Sequence, residues 1–323
     1  IAGASVPFVV HVLPAAFAFN RRALWRGGVP SGKTSPGRTG YLLFLALLRA
    51  PLLVAWAPAA EAARVRVKVE TPGGFEQKVL LGRPPGLAMD RPVVFVMHGA
   101  QRDVDAEFDR WYALALEHEF LLVVAEFSVR DFPGAGSYSY GNVQDGSGQP
   151  RPRSTWSFEA IEAIFDDLRQ RFGMTAEGYA IYGHAAGAQF VHRFLLHVPE
   201  ARVSRAVAAN AGWYAMPDLT VAWPYGLQGS AVGEEQLRHA LQAPLTLLLG
   251  AENTVPDEPG RRWTPEALTQ GPHRVARGEA FFTAGRAAAA ERGIALGWQL
   301  ATVPGAGQDS DLMAAAAIPY LLP

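Results

Sequence analysis

No cysteine occurs among the 323 residues, which excludes disulfide bridges, thiolate zinc sites and a cysteine nucleophile while leaving the compartment open. An excess of one charge is missing too: 29 Lys and Arg stand against 30 Asp and Glu, for a net charge of −1. With no basic stripe carrying interleaved aromatics, nucleic acid is not expected as a partner. Charged residues are scarce at 18%, against 49% apolar, which suits a folded globular domain with a large core. Long apolar runs are lacking as well. The run from Tyr41 to Trp56 is broken by Arg49 and Pro51 and falls short of the ~20 residues a membrane span needs.

That run has Arg38 before it and Ala60-Glu61-Ala62 behind it, an A-x-A-like cleavage pattern. Residues 38–62 are therefore expected to be a secretory signal processed near Ala63, giving a secreted or periplasmic protein with no stable membrane insertion after cleavage. Residues 1–37 fit neither signal nor domain. They begin with Ile1 and carry Pro, Gly and Arg without periodicity, as an extended reading frame or a fragment boundary would.

From residue 63 to 323 the pattern is that of one α/β domain. Ala63 to Glu70 alternates apolar and basic residues, and Gln77 to Leu81 returns beside it after Pro72-Gly73-Gly74, so both are expected as edge strands. Pro92 to Met97 and Phe120 to Ala125 are continuous apolar runs, the mark of strands buried on both faces, with a helix over 106–118 between them. A helix over Thr155 to Phe172 capped by Ser154 follows, then strands at 178–182, 203–209, 244–250 and 296–303, and helices at 186–196, 276–292 and 311–318. Such alternation implies a mostly parallel sheet with helices on both faces and ligands at the strands' carboxyl ends. The loops at 130–153 and 212–235, rich in Gly, Pro and aromatics, are long enough to be functional.

One turn stands out. Tyr182-Gly183-His184-Ala185-Ala186-Gly187 has the form of a G-x-S-x-G nucleophile elbow with alanine in place of the serine. Such an elbow pushes one side chain into the open above a helix N-terminus, and here that side chain is a methyl group.

The elbow, with Gln189 and His192 behind it, does not stand alone. With His98-Gly99-Ala100-Gln101-Arg102, Ala209-Asn210-Ala211-Gly212-Trp213-Tyr214, Gly250-Ala251-Glu252-Asn253-Thr254 and the stretch from Val303 to Ser310, it makes residues 64–323 resemble the α/β-hydrolase superfamily. Within it, the segments look most like secreted esterases and poly(3-hydroxybutyrate) depolymerase-like serine hydrolases. The resemblance implies an α/β-hydrolase fold, ester or polyester hydrolysis through an acyl-enzyme, a small-molecule or polymeric ester as ligand, and no metal or organic cofactor.

Carried over by position, the resemblance puts the nucleophile at Ala185, the acid at Asn253 and the base at Gln308. Each lacks what the chemistry requires: an oxygen nucleophile, a carboxylate to orient and stabilise the imidazole, and an imidazole to move the proton. Changing the acid alone to its amide costs about 10⁴ in rate in a serine protease. No histidine follows His273 to replace the base; His184 is expected to pack, Asp309 and Ser310 to form loop hydrogen bonds, and Arg102 to brace its loop, with anchoring an acidic group as the alternative. Ser to Ala, Asp to Asn and His to Gln preserve approximate shape while the neighbouring glycines and Asp309 remain, which favours a recently or deliberately silenced site over an ancient pseudoenzyme.

The binding apparatus implied by the resemblance survives. Backbone N–H groups of Ala100 or Gln101 and of Ala186 would form the oxyanion hole. Trp213, Tyr214, Tyr138 and Tyr140 are candidates for lining an acyl or polymer-chain groove, with lid and core packing as the alternative. The competing function is a non-catalytic binding protein for an ester or hydroxy acid.

Overall fold

The structure, a computed structural model, describes residues 63–256 and 262–323. The expected signal over 38–62 and the segment 1–37 lie outside the described residues.

In chain order the first elements are β1 (Ala63–Glu70), β2 (Glu76–Arg83), β3 (Val93–Met97), α1 (Val104–His118), β4 (Leu121–Glu126) and α2 (Glu159–Phe172). Next come β5 (Tyr179–His184), α3 (Ala186–His197), β6 (Val203–Ala209), α4 (Glu234–Gln242) and β7 (Leu245–Gly250). The chain closes with α5 (Pro265–Thr269), α6 (Arg274–Glu291), β8 (Gln299–Val303) and α7 (Ser310–Leu321). They build one eight-stranded sheet in the order β1-β2-β4-β3-β5-β6-β7-β8. β2 pairs antiparallel with both β1 and β4, and every pairing from β4 to β8 is parallel.

Apolar alternation explains the layering. Phe95 and Met97 of β3 join the core under α2, α3, α4 and α6, while Val94 and Val96 point to the opposite core under α1 and α7. All residues of β3, β5 and β7 are buried, as their unbroken apolar runs require of strands covered on both faces.

Three expectations are corrected. β2 is an inner strand, so only β1 of the N-terminal pair is an edge; its burial pattern, with five of its last seven residues read as buried, reflects cover on both sides. The helix expected from Thr155 capped by Ser154 is a 3-10 turn at Arg153–Thr155 followed by α2 from Glu159, with no side-chain cap at Phe158. Tertiary anchors override the local pattern there: Trp156 Nε1 donates to Arg151 O at 3.1 Å and Ser157 N to Gly141 O at 2.9 Å, holding the chain extended before the helix starts. Two short helices, α4 and α5, were not anticipated in or after the 212–235 loop. Among the described residues, no helix is long and apolar enough to cross a membrane.

Candidate functional site

The turn between β5 and α3 is tight because two glycines let backbones touch. A Cβ at Gly183 would lie 2.2 Å from Gly187 carbonyl atoms, and one at Gly187 would lie 2.2 Å from Met97 O on β3. Between them Ala185 adopts φ 52°, ψ −105°, a conformation rarely taken by residues other than glycine, and its N–H donates to Ala209 O at 2.9 Å. The sharp elbow is thus kept around a methyl side chain.

Ala185 faces a cavity of about 500 Å³ at the carboxyl ends of the strands, and Ala100, Gln101 and Gln308 line the same cavity. Two larger grooves, about 560 and 690 Å³, lie along α6 and beside the C-terminal Pro323, away from that end of the central strands. The N–H groups of Ala100, Gln101 and Ala186 donate to no backbone acceptor outside regular elements among the described residues. Ala186 begins α3, where the first N–H groups have no intrahelical partner and the helix dipole favours negative charge.

Asn253 does not reach the cavity. It is 8% exposed, and its Nδ2 donates to Gly307 O at 2.8 Å, so it holds the backbone just before Gln308. The Gln308 Nε2 is shielded from solvent and has no hydrogen-bond partner. The structure therefore brings positions 185 and 308 to one cavity and places 253 behind the loop that carries 308.

A polar chain that the sequence reading missed crosses this wall. Ser310 Oγ lies 3.2 Å from His184 Nδ1, and Asn210 Nδ2 lies 3.2 Å from His184 Nε2. Ser310 is thus more than a loop hydrogen bonder: the fold carries the N-terminus of α7 across to the end of β5 and supplies the imidazole that sequence distance concealed. Asn210 is oriented by two further bonds, its Oδ1 accepting from Gly250 N at 2.8 Å and its Nδ2 donating to Gly307 O at 2.9 Å. His184 Nε2 must then accept from the amide, which puts the ring proton on Nδ1, pointing at Ser310. Burial, reinforced by Arg274 and Arg110, pushes the His184 pKa down to about 4, so the ring is neutral near pH 7.

The remaining charges of the cavity are largely committed. Asp103 caps α1 by accepting from Ala106 N at 2.9 Å, and Glu107 meets Arg110 at 2.9 Å. Burial raises the Glu107 carboxyl, opposed by Arg110. Arg110 also donates through Nε to Asp311 at 2.6 Å, and Arg274 donates to Asn210 O at 3.0 Å. Arg274, at the start of α6, had no local sequence signal.

The aromatic candidates are placed differently from the expected groove. Tyr138 is buried, stacks on His98 at 4.7 Å and donates to His98 O at 2.7 Å. Tyr214 is fully buried and stacks on Phe281 at 4.5 Å. Trp213 is 3% exposed, beneath the Arg193 guanidinium at 4.3 Å, and half-buried Tyr140 meets it edge-on at 5.6 Å. This corrects the groove expectation for Tyr138, Tyr214 and Trp213, because a ring enclosed by other rings offers no face to a ligand. Arg102 braces, as its residue type suggested: it donates to Phe127 O at 2.7 Å and Gly134 O at 2.8 Å.

A mostly parallel sheet, helices on both faces and a strained elbow at the end of β5 define the α/β-hydrolase fold. Comparison with solved structures narrows this. The chain is similar to a poly(aspartic acid) hydrolase of Sphingomonas sp. KT-1, with 40% identity over 81% of this chain and 99% of that one, at a TM-score of 0.79. It is also similar to a poly(3-hydroxybutyrate) depolymerase of Bordetella parapertussis, with 34% identity over 80% of this chain and 90% of that one, at a TM-score of 0.75. No protein-family model and no curated protein matches the chain. The chain belongs to the α/β-hydrolase superfamily and is related within it to these depolymerase-like hydrolases.

Proposed function

We propose that this chain is a silenced member of the serine ester hydrolase group, one that holds a small or polymeric ester at the elbow without turning it over. The observation that carries this reading is Ala185 itself: the elbow conformation and its neighbouring N–H donors are retained around a side chain with no nucleophile. Ester hydrolysis in this group would run through an acyl-enzyme, which needs an oxygen at 185 and a base at 308. Alanine and glutamine supply neither.

The Ser310–His184 pair does not replace them. The ring proton sits on the nitrogen facing Ser310, so the imidazole offers that hydroxyl no lone pair. A base with a pKa near 4, where burial, Arg274 and Arg110 outweigh the Asp309 carboxylate, is also far from the operating pH that general-base catalysis favours.

The test is hydrolysis of p-nitrophenyl butyrate by the protein and by the variant Ala185→Ser, Asn253→Asp, Gln308→His. Turnover only by the variant supports both the triad positions and the silencing; turnover by the protein itself overturns the silencing. Oligomers of 3-hydroxybutyrate and poly(aspartic acid), given to the same pair, then separate the two substrate classes found among the relatives. A secreted or periplasmic location is part of the reading, and N-terminal sequencing of the protein recovered from cell fractions tests it.

A further inference from the structure

A site that keeps an oxyanion cradle but loses its triad changes in charge as well as in reactivity. In a Ser-His-Asp hydrolase a carboxylate behind the imidazole opposes the carboxylate product. Here Asn253 brings no charge to that place. Its amide donates to Gly307 O at 2.8 Å, so the loop carrying Gln308 is held without a buried anion.

Donors and carboxylates both line the cavity, and the donors are the groups left with capacity for a ligand. Ala100, Gln101 and Ala185, which directly precedes the twelve-residue α3, line it. His184 donates into Ser310 Oγ, which leaves the hydroxyl hydrogen for an acceptor in the cavity. Arg274 lines the same cavity, while Gln308 Nε2 is shielded from it. The carboxylates present are engaged, Asp103 in capping α1 and Glu107 with Arg110.

Resting on the reading of the elbow as a ligand site without turnover, we infer that the ligand this cavity prefers is a free carboxylate, such as a short alkanoate or hydroxyalkanoate, over the corresponding neutral ester. One carboxylate oxygen takes the backbone donors of Ala186 and of Ala100 or Gln101. The second takes the Ser310 hydroxyl. An ester offers a single carbonyl acceptor and no charge, so it uses the first set alone, and charge-assisted hydrogen bonds are roughly twice as strong as neutral ones.

The test is an NMR titration with butyrate and with methyl butyrate at pH 7 and low salt, on the protein, on Asn253→Asp and on Ser310→Ala. Butyrate is expected to bind about tenfold more tightly than methyl butyrate to the protein. Asn253→Asp adds a negative charge at constant size, with loss of the bond to Gly307 O, and should weaken butyrate about fivefold or more and several-fold more than it weakens methyl butyrate. Ser310→Ala carries the same question independently of how Asn253→Asp folds, and should weaken butyrate about threefold or more without affecting methyl butyrate. If methyl butyrate binds as well as butyrate, or both variants leave butyrate unchanged, the inference is overturned while the ligand-site reading stands. If neither compound binds, the ligand-site reading falls and the inference with it.

Discussion

Ser310 Oγ and His184 Nδ1 lie 3.2 Å apart, joining the first residue of α7 to the residue before the elbow alanine. A serine beside an imidazole in a hydrolase cavity invites a catalytic reading, and the partner on the far side of the ring decides against it. Asn210 donates to Nε2, so the ring proton faces the serine. Ser310→Ala in the triad-restored variant is therefore expected to leave kcat/KM for p-nitrophenyl butyrate within about fivefold, against the 10²–10⁴-fold that loss of a general acid or base costs. A larger loss would place Ser310 in the chemistry.

Ala185 is held in the strained backbone of the elbow. A residue other than glycine held in a sparsely populated backbone region costs on the order of 1–3 kcal/mol, and glycine loses about 0.5–1 kcal/mol of that gain through chain entropy. Ala185→Gly should stabilise the fold by about 1 kcal/mol in denaturant unfolding. Gly187→Ala should do the reverse by about 3 kcal/mol or more, because its Cβ would enter Met97 O and neither backbone can retreat. Equal stability of Ala185→Gly and the parent would mean that the strained elbow is relieved elsewhere.

Most of the sheet was legible in the sequence because buried parallel strands write unbroken apolar runs. Val93–Met97, Leu121–Glu126 and Leu245–Gly250 each fall within a residue or so of the expected bounds. The elbow was legible for a different reason: Gly183 and Gly187 are there because backbones approach to 2.2 Å of where a Cβ would sit, so the motif records a contact. The site wall was not legible. His184 ends β5, Asn210 follows β6, Arg274 begins α6 and Ser310 begins α7, and only the sheet order β5-β6-β7-β8 brings them together. The aromatics left groove and core both open because sequence gives their composition and not their burial, and Tyr138 and Tyr214 are buried.

Arg193 is fully buried on α3, with its guanidinium 4.3 Å from the Trp213 ring, 5.0 Å from Tyr140 and 5.9 Å from Trp223. Its Nη1 donates to Gln189 O at 3.0 Å, while Nε and Nη2 have no partner, and burial pushes its pKa down to about 9. Tyr140 belongs to the 130–153 loop and the two tryptophans to the 212–235 loop, so this cation–π cluster pins both long loops to the elbow helix. Arg193→Met keeps apolar bulk and removes the cation. It should cost about 2 kcal/mol of stability and speed hydrogen exchange in both loops without loosening the sheet. Unchanged exchange in the loops would show that ring packing alone holds them.

Burial also fixes how stability depends on pH. His98, His184 and His197 are each held near pKa 4, and His192 is driven in the same direction, with desolvation the largest cause in every case. His98 Nε2 accepts from Phe127 N at 3.1 Å and His192 Nε2 from Ala215 N at 3.1 Å, bonds that only a neutral ring can make. The unfolded chain protonates its histidines near 6.5, so between about 6.5 and 4 it binds more protons than the folded chain. Stability is therefore complete above that window and falls as pH drops through it, by on the order of 2 kcal/mol at pH 5 for each of His98, His184 and His197. Thermal unfolding between pH 7.5 and 5 should show Tm falling by about 10–25 °C, with proton uptake on unfolding. His197→Gln should remove about one proton of that uptake, since His197 bonds only Arg193 O through Nδ1 at 2.8 Å and leaves Nε2 without a partner. A Tm that held steady down to pH 5 would mean that these rings are protonated in the folded chain, and the neutral His184 on which the silent Ser310 pair depends would go with them.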